Sequence, residues 1–356
     1  MSAPAADAAP GSGTAREPLR RVAVMGAGSW GTTFAKVLGD AAEASGTDLQ
    51  VRVWGRSEAV VADLNQHRNT RYLDGIGLPS CISASTDPRK VLEGAQAVIL
   101  AVPAQSLREQ LSQWAADLPE DAVVVSLMKG LELGSDARMS EIISEVAGIP
   151  AERIAVVSGP NLALEIARCQ PTASVVACSD EATAHWLALA CTAPYFRPYT
   201  STDVVGVEIG GIVKNVIALA VGICEGKGMG DNTKASVITR GLAETTRLAS
   251  ALGGDPQTMA GLAGLGDLVA TCSSKLSRNH TAGTLLGQGL TVEQVGERTT
   301  QVAEGIKSAP AVHELAQKLG VDMPITAAVV AVLKGELPVD QLGPLLLARQ
   351  LKSEGD

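Results

Sequence analysis

Two lysines stand where a charged side chain needs a reason. Lys214 sits amid two turns of apolar residues in EIGGIVKNVIALAVGI; it either snorkels to water or is buried for a purpose. Burial or a neighbouring cation would lower its pKa from about 10.4 towards the range useful for proton transfer. Lys129 follows the strand-like VVVSLM in the loop MKGLE. Ligands of open α/β sheets bind outside the carboxyl ends of strands, within its reach, although a solvated loop lysine would look the same. Ser277-Arg278-Asn279 sets a hydroxyl, a guanidinium fork and an amide in a row after GLGDLVATCSS. The group suits phosphate oxygens, which arginine binds bidentately; the plainer reading is a loop with a helix cap at Ser277.

Gly26-Ala27-Gly28-Ser29-Trp30-Gly31 comes directly after RVAVM and opens a helix. Gly26 permits the tight turn, Gly28 lets the backbone approach a pyrophosphate, and Gly31 lets the helix pack close to the strand. The helix N-terminus then offers unpaired N–H groups to the phosphates. With a strand before, a helix after and a second strand about twenty residues on, the motif reads as a dinucleotide site. The second strand ends VRVW-Gly55-Arg56-Ser57, where an NAD enzyme usually places an acidic residue. Arg56 there favours NADP over NAD, by pairing with a 2′-phosphate or stacking on adenine, with Glu58 nearby as the counter-argument. GICEGKG resembles a phosphate loop only superficially, since G-x-x-x-x-G-K-[ST] is absent.

These groups lie in a chain of 356 residues with 38 acidic and 29 basic side chains, a formal net charge of -9. Such a balance gives no footprint for nucleic acid, so the cations that meet anionic ligands have to be concentrated locally. Six cysteines without a C-x-x-C pair argue against a disulfide scaffold or a zinc site and fit the cytoplasm. The four histidines are isolated, so no metal is expected. Glycine, lysine or charge interrupts each apolar run before it reaches a membrane span, so the chain does not read as an integral membrane protein.

Residues 1–20, rich in Ala, Pro, Gly and Ser, read as a disordered leader without the apolar stretch of a signal peptide. From Arg21, short apolar runs alternate with helical stretches: RVAVMG, LQVRVWG, AQAVILAVP, VVVSLMKG and RIAVVSGP. That alternation requires a parallel sheet covered on both faces. Residues 21–202 are therefore expected to form an α/β, Rossmann-type doubly wound dinucleotide-binding domain. After about Asp203 the pattern is helical, with Asp231 and Asn232 as capping candidates. Residues 203–351 are expected to form an all-α substrate and catalytic domain. Its apolar, aromatic-poor helices could bury a homodimer interface, though no motif marks one.

GAGSWGTTFA, MKGLE, VVSGPNLALEIA, EIGGIVKNVIALAVGICEGKGMGDNTKASVITRGLAE, GLAGLGDLVATC, SRN and VAEG together closely resemble the NAD(P)-dependent glycerol-3-phosphate dehydrogenases of the bacterial type, from about Arg21 to Val339. The resemblance implies reversible hydride transfer between sn-glycerol 3-phosphate and dihydroxyacetone phosphate, supplying phospholipid synthesis. It implies Lys214 as proton donor and acceptor at the carbinol oxygen, with Lys129 close to the nicotinamide and the substrate. Substrate contacts carry over to Gly159, Asn161, Asp267, Ser277, Arg278 and Asn279. Cofactor contacts carry over to Ser29, Trp30, Arg56, Lys129, Ala163, Arg278, Val302 and Glu304, and to Tyr72. Met128 stands where the family commonly has a small hydroxylic residue, and Asn161 where Thr or Ser is common. A hydroxyacid or 6-phosphogluconate-type dehydrogenase of the same architecture is the nearest rival, and a non-catalytic dinucleotide-sensing protein the rival of another class. The SRN group and GDNTKA favour glycerol phosphate.

Overall fold

The computed structural model describes residues 16–298 and 303–342. Eight strands form one sheet: β1 (Arg21–Met25), β2 (Gln50–Trp54), β3 (Ile82–Ser85), β4 (Ala97–Leu100), β5 (Val123–Ser126), β6 (Ile154–Ser158), β7 (Thr172–Cys178) and β8 (Phe196–Ser201). Their order is β3-β2-β1-β4-β5-β6-β7-β8. The first six are mutually parallel in the 3-2-1-4-5-6 order of dinucleotide-binding sheets. Helices α1 (Ser29–Ser45), α2 (Glu58–Leu64), α3 (Pro88–Leu92), α4 (Leu107–Trp114), α5 (Met139–Ala147), α6 (Ala163–Ala167) and α7 (Glu181–Ala190) connect them. One apolar layer joins α1, α2 and α7 to the sheet through Phe34, Leu64 and Leu187. The opposite layer joins α3, α4 and α5 through Leu92, Leu111 and Ile142.

The sheet is not wholly parallel. β7 runs antiparallel to β6, and β8 runs parallel to β7. The connection 159–171, carrying the five-residue α6, turns the chain over at the carboxyl edge, with Ser158 opposite Val175, and this places Gly159, Asn161 and Ala163 at that edge. Edge strand β8 contains Pro198 and an exposed Arg197, which blunt it against further pairing.

Beyond β8 the described residues form helices only: α8 (Val204–Gly226), α9 (Asp231–Ala251), α10 (Asp267–Ser273), α11 (Arg278–Gly287), α12 (Val292–Arg298), α13 (Glu304–Lys318) and α14 (Pro324–Leu333), with short 3-10 and π turns between. α8 is the axis about which the others pack. Contrary to the sequence expectation, its 23 residues have the length and apolarity of a membrane span, but 89% of its most apolar window is buried inside the protein. Gly222 and Gly226 of α8 face Gly283 and Gly287 of α11 so closely that a Cβ on Gly222 would lie 2.2 Å from the His280 carbonyl oxygen and one on Gly283 2.2 Å from that of Leu219. This backbone contact fixes the start of α11, with Ser277 and Arg278, relative to Lys214.

Two sequence expectations need correction here. Residues 16–20 do not behave as a free leader: Leu19 is buried, and Trp186 Nε1 donates to the Glu17 carbonyl at 2.8 Å. Asp231 is the first residue of α9 and not its cap; Gly230 holds the cap position without a side-chain bond, so neither Asp231 nor Asn232 serves as foreseen.

Candidate active site

The glycine loop occupies the point where the sheet order reverses, between β1 and β4. A Cβ on Gly26 (φ +136) would lie 2.4 Å from the Ala101 carbonyl oxygen, and one on Gly31 would lie 2.1 Å from the Gly26 oxygen. Gly28 differs, since a Cβ there would meet nothing within 4 Å. The loop is therefore closed towards the protein and open at Gly28, the N-cap of α1, which has no side-chain cap bond. A pyrophosphate on that helix end would fill the space and meet N–H groups that the helix cannot satisfy.

Around the loop, Ser29 Oγ donates to the Tyr72 carbonyl at 3.5 Å, and Tyr72 itself is half-buried. Trp30 packs edge-on against Phe34, leaving its buried Nε1 without a protein acceptor. Arg56 is exposed between β2 and α2, beside Gly55, whose Cβ would touch Ala27 at 3.0 Å. Thr33 Oγ1 donates to the Ala163 carbonyl at 3.2 Å, tying α1 to the start of α6.

The two lysines meet on one carboxylate. Asp267, at the start of α10 and 1% exposed, receives Lys129 Nζ on Oδ2 at 2.5 Å and Lys214 Nζ on Oδ1 at 2.7 Å. Lys129 also donates to the Gly159 carbonyl at 3.0 Å, and Lys214 to Thr271 Oγ1 at 2.6 Å. Each ammonium thus spends two of its three donors on the protein. Burial pulls the Lys129 pKa down to about 8; Asp267 opposes that shift and the charge of Lys214 adds to it.

Two ammonium groups thus share one carboxylate in a buried cleft. Ser158 Oγ, both side-chain polar atoms of Asn161, Glu304 Oε2 and Ser308 Oγ are buried there without protein partners. Buried polar atoms in folded proteins are almost always bonded. These five, with Trp30 Nε1, mark a surface that fits a dinucleotide and a small polar substrate. Burial raises the Glu304 pKa above the usual carboxylate range, with the charges of Arg278 and Lys307 acting against it.

Ser277, Arg278 and Asn279 do not present themselves as a row. Ser277 Oγ accepts from His280 N at 3.2 Å as the cap of α11, which is the plainer of the two sequence readings. Asn279 is buried; its Nδ2 donates to Asn215 Oδ1 and its Oδ1 accepts from Gly305 N, both at 2.8 Å. Arg278 alone of the three has an exposed side chain. Of the two departures from the family pattern, Met128 packs in the apolar layer that holds α3, α4 and α5 on the sheet. Asn161 lies in the cleft with both amide atoms unpaired. Val302 lies outside the described residues.

Sequence reasoning missed Thr271, Asn215 and Asn69. Thr271 is one helical turn beyond Asp267, and Asn215 follows Lys214 directly, donating to the Lys129 carbonyl at 3.3 Å. Helical spacing from Asp267 would have found Thr271; no spacing rule points to Asn215.

Residues 21–184 match the family model described as NAD-dependent glycerol-3-phosphate dehydrogenase N-terminus, and residues 203–343 match the corresponding C-terminus. A Streptomyces griseus protein named glycerol-3-phosphate dehydrogenase (NAD(P)+) is 56% identical over 336 residues, covering 94% of this chain and 98% of the relative. One of the same name from Thermobifida fusca is 55% identical over 337 residues, 94% of this chain and 99% of the relative. The crystal structure of glycerol-3-phosphate dehydrogenase from Coxiella burnetii superposes with a TM-score of 0.86 at 36% identity, covering 93% of this chain and 99% of that one. With both halves matched and relatives above half identity along nearly its whole length, this chain belongs to the NAD-dependent glycerol-3-phosphate dehydrogenase family.

Proposed function

We propose that the chain interconverts dihydroxyacetone phosphate and sn-glycerol 3-phosphate, the backbone precursor of phospholipids. The observation that carries this reading is the Lys129–Asp267–Lys214 bridge, which holds two ammonium groups at one buried point against Gly159, just beyond the carboxyl end of β6. A nicotinamide dinucleotide, when bound, supplies or accepts the hydride. Lys214 holds the proton for the carbinol oxygen, and its ammonium stabilises negative charge developing there. Asp267 and Thr271 fix the direction of its Nζ. Lys129 adds the second positive charge near the reacting atoms, braced by Gly159 O. Arg278 and the first-turn amides of α11 take the substrate phosphate, while Asn279 holds α8, α11 and the start of α13 together.

For the dinucleotide, Arg56 at the end of β2 supports NADP over NAD, because no acidic side chain follows Trp54 until Glu58. All six thiols are free, which supports action in the reducing cytoplasm. The test is oxidation of NADPH and of NADH on addition of dihydroxyacetone phosphate, with non-phosphorylated ketones and hydroxyacid precursors as controls. We expect turnover with the phosphorylated ketone and a lower KM for NADPH. Activity confined to a 2-keto acid would sink the substrate assignment, and a lower KM for NADH would sink the role of Arg56.

A further inference from the structure

Asn69 lies in the connection between α2 and β3, and it is 0% exposed. Its Nδ2 donates to the Ala27 carbonyl at 3.1 Å and to Thr32 Oγ1 at 2.9 Å. Ala27 is inside the glycine loop, where its carbonyl belongs to neither β1 nor α1. We infer that Asn69 is a positioning residue for the dinucleotide, acting through the Ala27–Gly28 peptide plane; the inference rests on the dinucleotide reading above.

A trans peptide is planar, with its C=O and N–H pointing in opposite directions, and the described residues contain no cis bond. Fixing the Ala27 oxygen on Asn69 therefore aims the Gly28 N–H away from Asn69. Gly28 is also the loop residue where a side chain would meet open space. The second bond, to Thr32, ties the same carboxamide to the first turn of α1, so loop and helix end move as one body. The orientation of the amide is not arbitrary, because an oxygen turned towards the Ala27 carbonyl would set two acceptors against each other.

Asn69 is in turn rigidly held. Its carbonyl accepts from Leu73 N at 2.8 Å and from Tyr72 N at 3.2 Å. Its neighbours are fixed to Asp63 of α2, with Arg68 Nε and Thr70 N donating to the two carboxylate oxygens at 3.1 Å each. Backbone N–H groups act on a ligand only in the orientation they already hold, so a loop free to flip that peptide would pay for ordering it on each binding event.

The test is direct titration of NADPH and NADH by nucleotide fluorescence, with kcat measured at saturating nucleotide. Asn69→Leu removes the donor without adding charge. It is expected to weaken both nucleotides equally, by about tenfold, because the pyrophosphate is common to them, while kcat and the KM for dihydroxyacetone phosphate stay within about twofold. Thr32→Val keeps the Ala27 bond and loses only the tie to α1, so it should weaken both nucleotides clearly less than Asn69→Leu does. If Asn69→Leu does not fold, the milder Asn69→Ser must still weaken both nucleotides. Unchanged affinity in the Asn69 variants, or an equal loss in Thr32→Val, overturns the inference. A wild-type protein that binds neither nucleotide overturns the dinucleotide reading instead.

Discussion

Asp267 and Glu208 are carboxylates of the helical region, 1% and 3% exposed, each bound to cationic side chains. Glu208, on α8, accepts from Arg138 Nη1 at 2.7 Å, Ser140 Oγ at 2.5 Å and Ser140 N at 3.0 Å. Arg138 is shared with Glu141 at 2.8 Å and caps the start of α5. Every group in that cluster is spent inside the protein, and its effect is to bolt α5 to α8. Burial pushes the Glu208 pKa up, and Arg138 and the Ser140 bonds pull the other way. Asp267 is as buried, but its partners are two lysines with donors in reserve, beside Asn161 and Ser158 atoms that nothing in the protein satisfies. A buried charge by itself is weak evidence for a site. What separates the two clusters is unspent bonding capacity.

Breaking each cluster should therefore fail in a different way. Lys214→Ala is expected to lower kcat by about a thousandfold, since general acid catalysis and charge stabilisation are lost together, with nucleotide affinity retained. Stopped-flow turnover and nucleotide titration on the same preparation check this, and near wild-type turnover would remove Lys214 from the chemistry. Glu208→Ala should leave kcat/KM per folded molecule unchanged while costing about 3 kcal/mol of stability, because it strands Arg138 and Ser140 in the interior. Denaturant unfolding reads the second effect. A large loss of kcat in Glu208→Ala at full folding would erase the distinction drawn above.

How far the sequence alone reached follows the same division. Strands β1, β4, β5 and β6 were legible because both faces are buried, giving near-continuous apolar runs, and β2 because Val51, Val53 and Trp54 stand out in QVRVW although only the valines are fully buried. β3 (ISAS) and β8 (FRPYTS) are edge strands with polar or exposed positions, and so carry no such run. The reversal at β7 is a matter of strand direction, which apolar patterning does not encode. Lys129, Lys214 and Asp267 are far apart in the chain, and only the resemblance pointed to their meeting. The cap at Ser277 was one of two readings the sequence left open, because the same residue types serve phosphates and helix ends, whereas the use of Asn279 in the Asn215–Gly305 link was invisible.

The finest test of the comparison uses protons. Glu208 is shielded from solvent by a closed set of partners, whereas burial pulls the Lys129 pKa down from 10.5 to about 8. A lysine with a lowered pKa is cationic below that value and neutral above it. If its charge helps to hold the anionic substrate, kcat/KM for dihydroxyacetone phosphate should be level below about pH 7 and fall roughly tenfold per unit once pH passes about 8. Lys129→Arg stays charged throughout, so its activity, although reduced by the different shape, should lose this alkaline limb. Stability gives the complementary sign. The neutral form is favoured in the folded state, so the cost of burying the charge is present at low pH and is relieved as pH rises from about 8 towards 10.5. An alkaline limb in kcat/KM that survives unchanged in Lys129→Arg would assign the titration to another group and leave Lys129 as a brace for Gly159 and Asp267 alone.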